Sequence, residues 1–368
     1  AITAPILFTV AGMVTLLALP ESGDKKHNLE AFLTIAEMGL VLLLFTDAAK
    51  TDLDILKDIR NLPVRLLGIG LPFTIILGAL VAMVIFDGLS IWEAGILAAI
   101  LSPTDAGLGE VIVKSSKVPI RVRQSLNVEA GLNDGLAVPF LLFFMSLAAA
   151  SGEGHEPTLS RYVFEQLGFG VIVGIGIGVV GGWLLGWAHR NSWMSKSFQH
   201  LGVVALPLLC ITQSNTAGAS MFIAAFVAGL AVQIGYKEAG KHSVEFTEQW
   251  GHILNIAVFF LFGLLVAKGW SEFTSAGVLY AVLSLTVVRM IPVALSLIGT
   301  GLDKSTILFM GWFGPRGLAS IVLGLVYIEH QMGHVSNPAI RMAVMTTVLF
   351  SIFAHGISAE PGIKFLTS

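Results

Sequence analysis

The chain has 368 residues, 55% hydrophobic and only 12% charged, with a formal net charge of −3. A charged share about half that of a soluble domain excludes an ordinary water-soluble globule, and so small a net charge gives no sign of a nucleic-acid partner. The single cysteine, Cys210, lies inside an apolar run, so neither a disulfide frame, a cysteine metal site nor a cofactor is expected.

Long apolar runs with few charges read as membrane-spanning helices, because lipid offers the backbone no hydrogen-bond partner. Twelve are expected, at roughly 1–20, 29–49, 65–86, 91–113, 121–149, 162–188, 198–213, 217–235, 252–268, 276–298, 305–328 and 339–357. The first lacks a basic flank and a small-residue cleavage site, so it reads as a span rather than a signal peptide. With residue 1 inside, the inner loops hold fourteen Lys and Arg and the outer loops five. The positive-inside rule then puts both ends in the cytoplasm. In the second span Asp47 reads as a span-end residue, while Glu37 falls mid-run without a physical account.

The fourth span is interrupted by Ser102-Pro103-Thr104-Asp105-Ala106-Gly107, and the eleventh by Gly311-Trp312-Phe313-Gly314-Pro315-Arg316-Gly317. Gly/Pro-broken helices in matching positions point to a transporter built from inverted repeats. The expected architecture is therefore all-α and polytopic, with two broken crossing helices. The first repeat would occupy 1–149, a linker helix with its loops 150–197, and the second repeat 198–368. Three spans precede the break in the first half and four in the second, so an N-terminal helix of the first repeat is expected to be missing from this sequence.

Ionisable residues inside a membrane are costly and call for a function. The fifth span carries Glu129 and the pair Asn133-Asp134. Glu129 and Asp134 are five residues apart, about 140° around a helix, so they are expected to do different jobs. Thr104 and Asp105 sit at the first break, where freed carbonyls and half-helix ends can face an ion. Together these offer hard oxygen ligands for a monovalent cation. Burial disfavours the charged form of a carboxylate, so a proton and a cation compete for Asp134. An empty, charged site crosses an apolar barrier poorly, which couples the two fluxes. With Asn133 in place of a second acid, one cation per proton is the natural stoichiometry. Glu129 needs a basic partner, and Arg289 in the tenth span suits it through bidentate pairing. Arg316 is the competitor, which can alternatively steady the helix ends or bind Asp105.

These pieces resemble the sodium/proton antiporters of the monovalent cation:proton antiporter superfamily, in the branch with Asn-Asp rather than Asp-Asp in the ion-site helix. The resemblance rests on Thr104-Asp105, the run from Glu129 through Asn133-Asp134 to Pro139, Arg289 and Gly314-Pro315-Arg316-Gly317. Residues Phe222 to Gly229 and His355-Gly356 add to it. It implies a thirteen-helix fold and a homodimer. A core domain, roughly 65–149 plus 276–357, would slide elevator-like against a dimerisation domain formed by the remainder. It further implies that Asp134 carries Na+ (alternatively Li+ or K+) or the proton, with Thr104 a ligand and Asn133 supporting. Glu129 and Arg289 would form a structural ion pair, with Pro103, Gly314 and Arg316 supporting the broken helices. A multi-pass protein of the bacterial inner membrane is expected. Ala130 departs from relatives that place a Ser beside the Glu, which removes one possible hydroxyl ligand.

Plainer readings stand beside these. Asp105 also suits a cap on a half-helix end. Gly176-Ile177-Gly178-Val179-Val180-Gly181 matches a dinucleotide fingerprint, but it lies in an apolar span without a βαβ unit, and close helix packing explains it better. Glu329, His330 and His334 read as a solvated outer loop rather than a zinc site. An intramembrane aspartyl protease using Asp105 and Asp134 is the rival of another class, set aside because basic partners and matching breaks accompany the acids. A symporter would need a larger substrate cavity, which no extra core charges announce.

Overall fold

The computed structural model describes residues 3–18, 25–50, 61–105, 107–113, 115–153, 156–236, 244–330 and 337–367. His334 and the basic residues Lys57, Arg60, Lys114, Lys237 and Lys241 lie outside them. Every regular element among the described residues is helical. In chain order these are α1 Ala4–Ala18, α2 Lys25–Lys50, α3 Asn61–Ile85, α4 Ile91–Ile100, α5 Glu110–Val113, α6 Ile120–Glu153, α7 Glu156–Arg190 and α8 Lys196–Ala217. There follow α9 Met221–Gly235, α10 Val244–Lys268, α11 Ser275–Leu285, α12 Val287–Ser296, α13 Lys304–Trp312, α14 Leu318–His330 and α15 Pro338–Thr367.

Each predicted apolar run falls on a helix or on a pair of helices separated by a break. Seven helical stretches among the described residues are long and apolar enough to cross a membrane, and α1, α4, α9 and α14 carry shorter apolar stretches. α8 has the length, but Gln199, His200, Gln213 and Asn215 flank its apolar middle.

Two local departures have physical causes. α3 begins at Asn61 rather than near 65 and contains a π turn at Leu66–Gly70. Pro72 has no N–H and its ring would strike the carbonyl one turn back, so the helix widens just before it. The predicted run 276–298 is broken at Thr286, whose hydroxyl donates to Val282 O at 2.6 Å. That bond competes with the backbone ladder and bends the helix. α4 starts on a reciprocal capping box between Ser90 and Glu93.

The chain packs as two units, one of Ala1–Leu33, Ile55–Ala148 and Ile256–Ser368, the other of Thr34–Asp54 and Ala149–Asn255. In the first, residues including Leu62, Leu66, Val122, Leu126, Phe309, Phe313 and Ile363 form a buried apolar cluster. Val64, Phe73, Ile76, Leu80 and Val84 leave an exposed apolar stripe along α3, as a lipid-facing helix does. In the second unit α7 lies against α9. Side chains added at Gly174, Gly178, Gly182 and Gly186 would run into the carbonyl oxygens of Ala224, Ala228, Val232 and Gly235. Of the apparent dinucleotide motif, Gly178 therefore belongs to this helix-packing seam, Gly181 packs against Leu206 and Gly176 faces open space.

Candidate ion site at the crossed breaks

Both breaks lie in the first unit. α4 ends at Ile100 and α13 at Trp312, and the described residues between these ends and the starts of α5 and α14 are not helical. The segments are joined to each other. Asp105 N donates to Pro315 O at 2.8 Å. Arg316 Nη1 donates to Ser102 O at 2.8 Å and Pro103 O at 3.0 Å. Leu318 N donates to Asp105 Oδ2 at 2.8 Å. Pro103 and Pro315 fit here because neither position has to donate an amide.

Asp105 thus holds two pieces of backbone. Its Oδ1 accepts from Gly107 N at 2.7 Å and Leu108 N at 3.3 Å, while Oδ2 caps the start of α14. A carboxylate at a helix N-terminus is favoured by the backbone dipoles. Sequence reasoning left Asp105 open between ligand and cap, and the structure gives both of its oxygens amide donors.

Arg316 is fully buried, at 0% exposure. Its Nε and Nη2 have no hydrogen-bond partner among the described residues. It steadies the carbonyls of the first break. Arg289, in α12, instead reaches Glu129 of α6, with Nη1 to Oε1 at 2.5 Å and the two residues 3% and 2% exposed. The Arg289 guanidinium lies flat against Gly314, where any side chain would collide with it. Gly314 and Gly317 therefore make room for a guanidinium and a carboxylate respectively.

Asn133 and Asp134 occupy the middle of α6. Asn133 is buried and its Nδ2 donates to Thr104 Oγ1 at 2.7 Å. Its Oδ1 is buried without a hydrogen-bond partner among the described residues. Asp134, one residue on, is half-buried. Asn133 and Thr104 thus offer a carbonyl-type oxygen and a hydroxyl at the first break, and Asp134 follows Asn133 with a partly accessible side chain. Such hard oxygens suit a small cation as transported substrate. Among the described residues no three His, Cys, Asp or Glu side chains converge as a metal site.

Sequence reasoning missed Ser102, which acts through its carbonyl and so carries no side-chain signal. It also missed Ser351, whose Oγ accepts from Arg316 N at 2.5 Å. The spacing of Ser351 and His355 by one helical turn was the available clue.

The fold matches the sodium proton antiporter MjNhaP1 from Methanocaldococcus jannaschii at a TM-score of 0.78 and 20% identity, over 99% of this chain and 92% of that one. The fold is thus the all-helical, multi-pass membrane fold of that antiporter. Residues 2–364 match the sodium/hydrogen exchanger transmembrane family, and the chain belongs to that family. Similar curated proteins include Na(+)/H(+) antiporter 2 of Zygosaccharomyces rouxii, 26% identical over 70% of this chain and 34% of that protein. A Na(+)/H(+) antiporter of Schizosaccharomyces pombe is 24% identical over 75% of this chain and 65% of that protein. The K(+)/H(+) antiporter NhaP2 of Shewanella oneidensis is 27% identical over 64% and 41%. The chain spans between 34% and 65% of the length of these relatives. They are transporters, not enzymes.

Proposed function

We propose that this chain exchanges a monovalent cation for protons across a membrane, with Asp134 as the shared carrier of cation and proton. The observation that carries the reading is the Asn133–Thr104 bond at the first break, which leaves the buried Asn133 Oδ1 without a hydrogen-bond partner among the described residues, one residue before Asp134. Thr104 and Asn133 supply neutral oxygens, and Asp134 supplies the charge that either cargo neutralises. The relatives are named for Na+ and for K+, and Na+ is our first choice of cargo.

Exchange is one for one and electroneutral. The guanidiniums of Arg289 and Arg316 balance, in number, two of the three carboxylates of Glu129, Asp105 and Asp134. One negative charge is left for one cargo ion. Because an uncompensated charge crosses an apolar barrier poorly, only the loaded carrier moves readily, and it moves by an elevator-type step. The moving core is 65–149 with 276–357, the remainder holds the dimer contact, and both ends face the cytoplasm under the positive-inside count.

The test is a pH-gradient assay in proteoliposomes with Na+, Li+ and K+ supplied separately. Asp134→Asn abolishes exchange with every cation, whereas retained exchange overturns the assignment. A rate that rises with an imposed membrane potential overturns electroneutrality.

A further inference from the structure

We propose that Ser351 and His355 of α15 are positioning residues for the ion site, forming a clamp across the second break that fixes Arg316. The inference rests on the reading of Thr104 and Asp134 as the ion site. His355 Nε2 lies 2.8 Å from Trp312 O, the last carbonyl of α13, and its ring stacks on the Trp312 indole at 5.2 Å. One turn back, Ser351 Oγ accepts from Arg316 N at 2.5 Å, on the far side of the break. Ser351 Oγ is also 3.2 Å from His355 Nδ1.

The imidazole meets a carbonyl with each ring nitrogen: Nε2 faces Trp312 O, and Nδ1 lies 2.9 Å from Ser351 O as well as beside Ser351 Oγ. A carbonyl only accepts, so His355 Nε2 carries hydrogen and donates to Trp312 O. Ser351 Oγ accepts from the Arg316 amide. The Arg316 amide and the Trp312 carbonyl are backbone groups that the break frees from the helix ladder. The buried pair joins both lips of the break.

The clamp reaches the ion site through one residue. Ser351 fixes the Arg316 backbone, while the Arg316 guanidinium holds the carbonyls of Ser102 and Pro103. Thr104 follows at once and accepts from Asn133. Loosening the clamp blurs the position of Thr104 without removing a ligand. Cation affinity is then affected more than the maximal rate.

The experiment uses the full chain in liposomes and reads the apparent KM for Na+, Li+ and K+, with the maximal rate, in Ser351→Ala, His355→Ala, His355→Gln and Asp134→Asn. Losing a buried link of this kind raises KM about tenfold in the two alanine variants. Glutamine can still donate to Trp312 O, so His355→Gln stays within about twofold of the parent by the same reckoning. The 15N spectrum of His355 in the parent reports hydrogen on Nε2. A folded Ser351→Ala with parental KM overturns the clamp, as does a His355→Gln no better than His355→Ala, or a His355 spectrum with no hydrogen on Nε2. If His355→Ala does not fold, Ser351→Ala and the spectrum decide. Exchange retained by Asp134→Asn sinks the ion-site reading itself. A dead Asp134→Asn beside alanine variants of parental KM sinks only the clamp.

Discussion

The Asp105 carboxylate occupies the space that a side chain on Gly317 would fill, and from there it accepts the Leu318 amide at 2.8 Å. Gly317→Ala therefore pushes the carboxylate off the start of α14. Overpacking of this kind costs ~1–3 kcal/mol. Exchange in proteoliposomes falls and the unfolding temperature drops together. An alanine variant with parental activity and stability would show that Asp105 has another comfortable position.

Glu129 and Arg289 form a buried pair in which one partner alone is worse than neither. Removing one member of such a pair costs ~3–5 kcal/mol, because the other charge is left buried. Glu129→Ala and Arg289→Ala each destabilise the protein strongly in detergent unfolding. Glu129→Leu with Arg289→Met recovers much of that loss. A Glu129→Ala protein that stays stable while switching its cation preference contradicts a structural role for Glu129.

Thr104 is the acceptor for Asn133, and Thr104→Val keeps its shape while removing the hydroxyl. The loss of one such hydrogen bond and ligand is worth about 1 kcal/mol, roughly a fivefold rise in the apparent KM for the cation. The proteoliposome assay reads this directly. Unchanged affinity means that the Thr104 hydroxyl does not serve the cation.

The glycines of α7 separate cleanly into two groups. A Cβ at Gly178 would lie 2.6 Å from Ala228 O, while one at Gly176 would meet nothing within 4 Å. Gly178→Ala destabilises by ~1–3 kcal/mol. Gly176→Ala is neutral or stabilising by ~0.5–1 kcal/mol through helix propensity. Thermal unfolding of the two variants distinguishes the seam from the open face.

Asp303 caps α13 in the loop before the second break. The Thr306 hydroxyl, donating at 2.5 Å, leads the groups that pull its carboxyl from 3.8 down to about 2, followed by the side chain of Ser305 and the Thr306 amide. The folded value is the lower one, so the cap is fully stabilising above about pH 4 and is lost as the pH falls towards 2. Amide exchange over 304–312 accelerates across that window beyond its intrinsic change. Asp303→Asn keeps a capping oxygen and removes the extra acceleration.

Most of the helical frame was legible because apolar runs and Gly/Pro interruptions are properties of side chains. Asn133, Asp134 and Thr104 stood out because polar groups inside apolar runs need a reason. The break at Thr286 was hidden, since a threonine hydroxyl bends a helix only when it turns back on its own carbonyl. The grip of Arg316 on Ser102 and Pro103 was hidden as well, because a carbonyl looks the same whatever residue bears it. Asp105 was ambiguous for a related reason: its partners are amides of Gly107, Leu108 and Leu318, which no residue type announces.

The crossing of the two breaks has a consequence for how the protein tolerates mutation. The Asp105–Pro315 bond joins main-chain atoms only, and Ser102, Pro103 and Leu318 also contribute main-chain groups. No single replacement at Ser102 or Leu318 by an ordinary amino acid other than proline deletes such a group. Thr104 and Asn133, by contrast, offer side chains that any codon change can alter. If the proposed site is right, cargo preference is free to drift on a scaffold that point mutation reaches chiefly through its glycines, its prolines, Asp105 and Arg316.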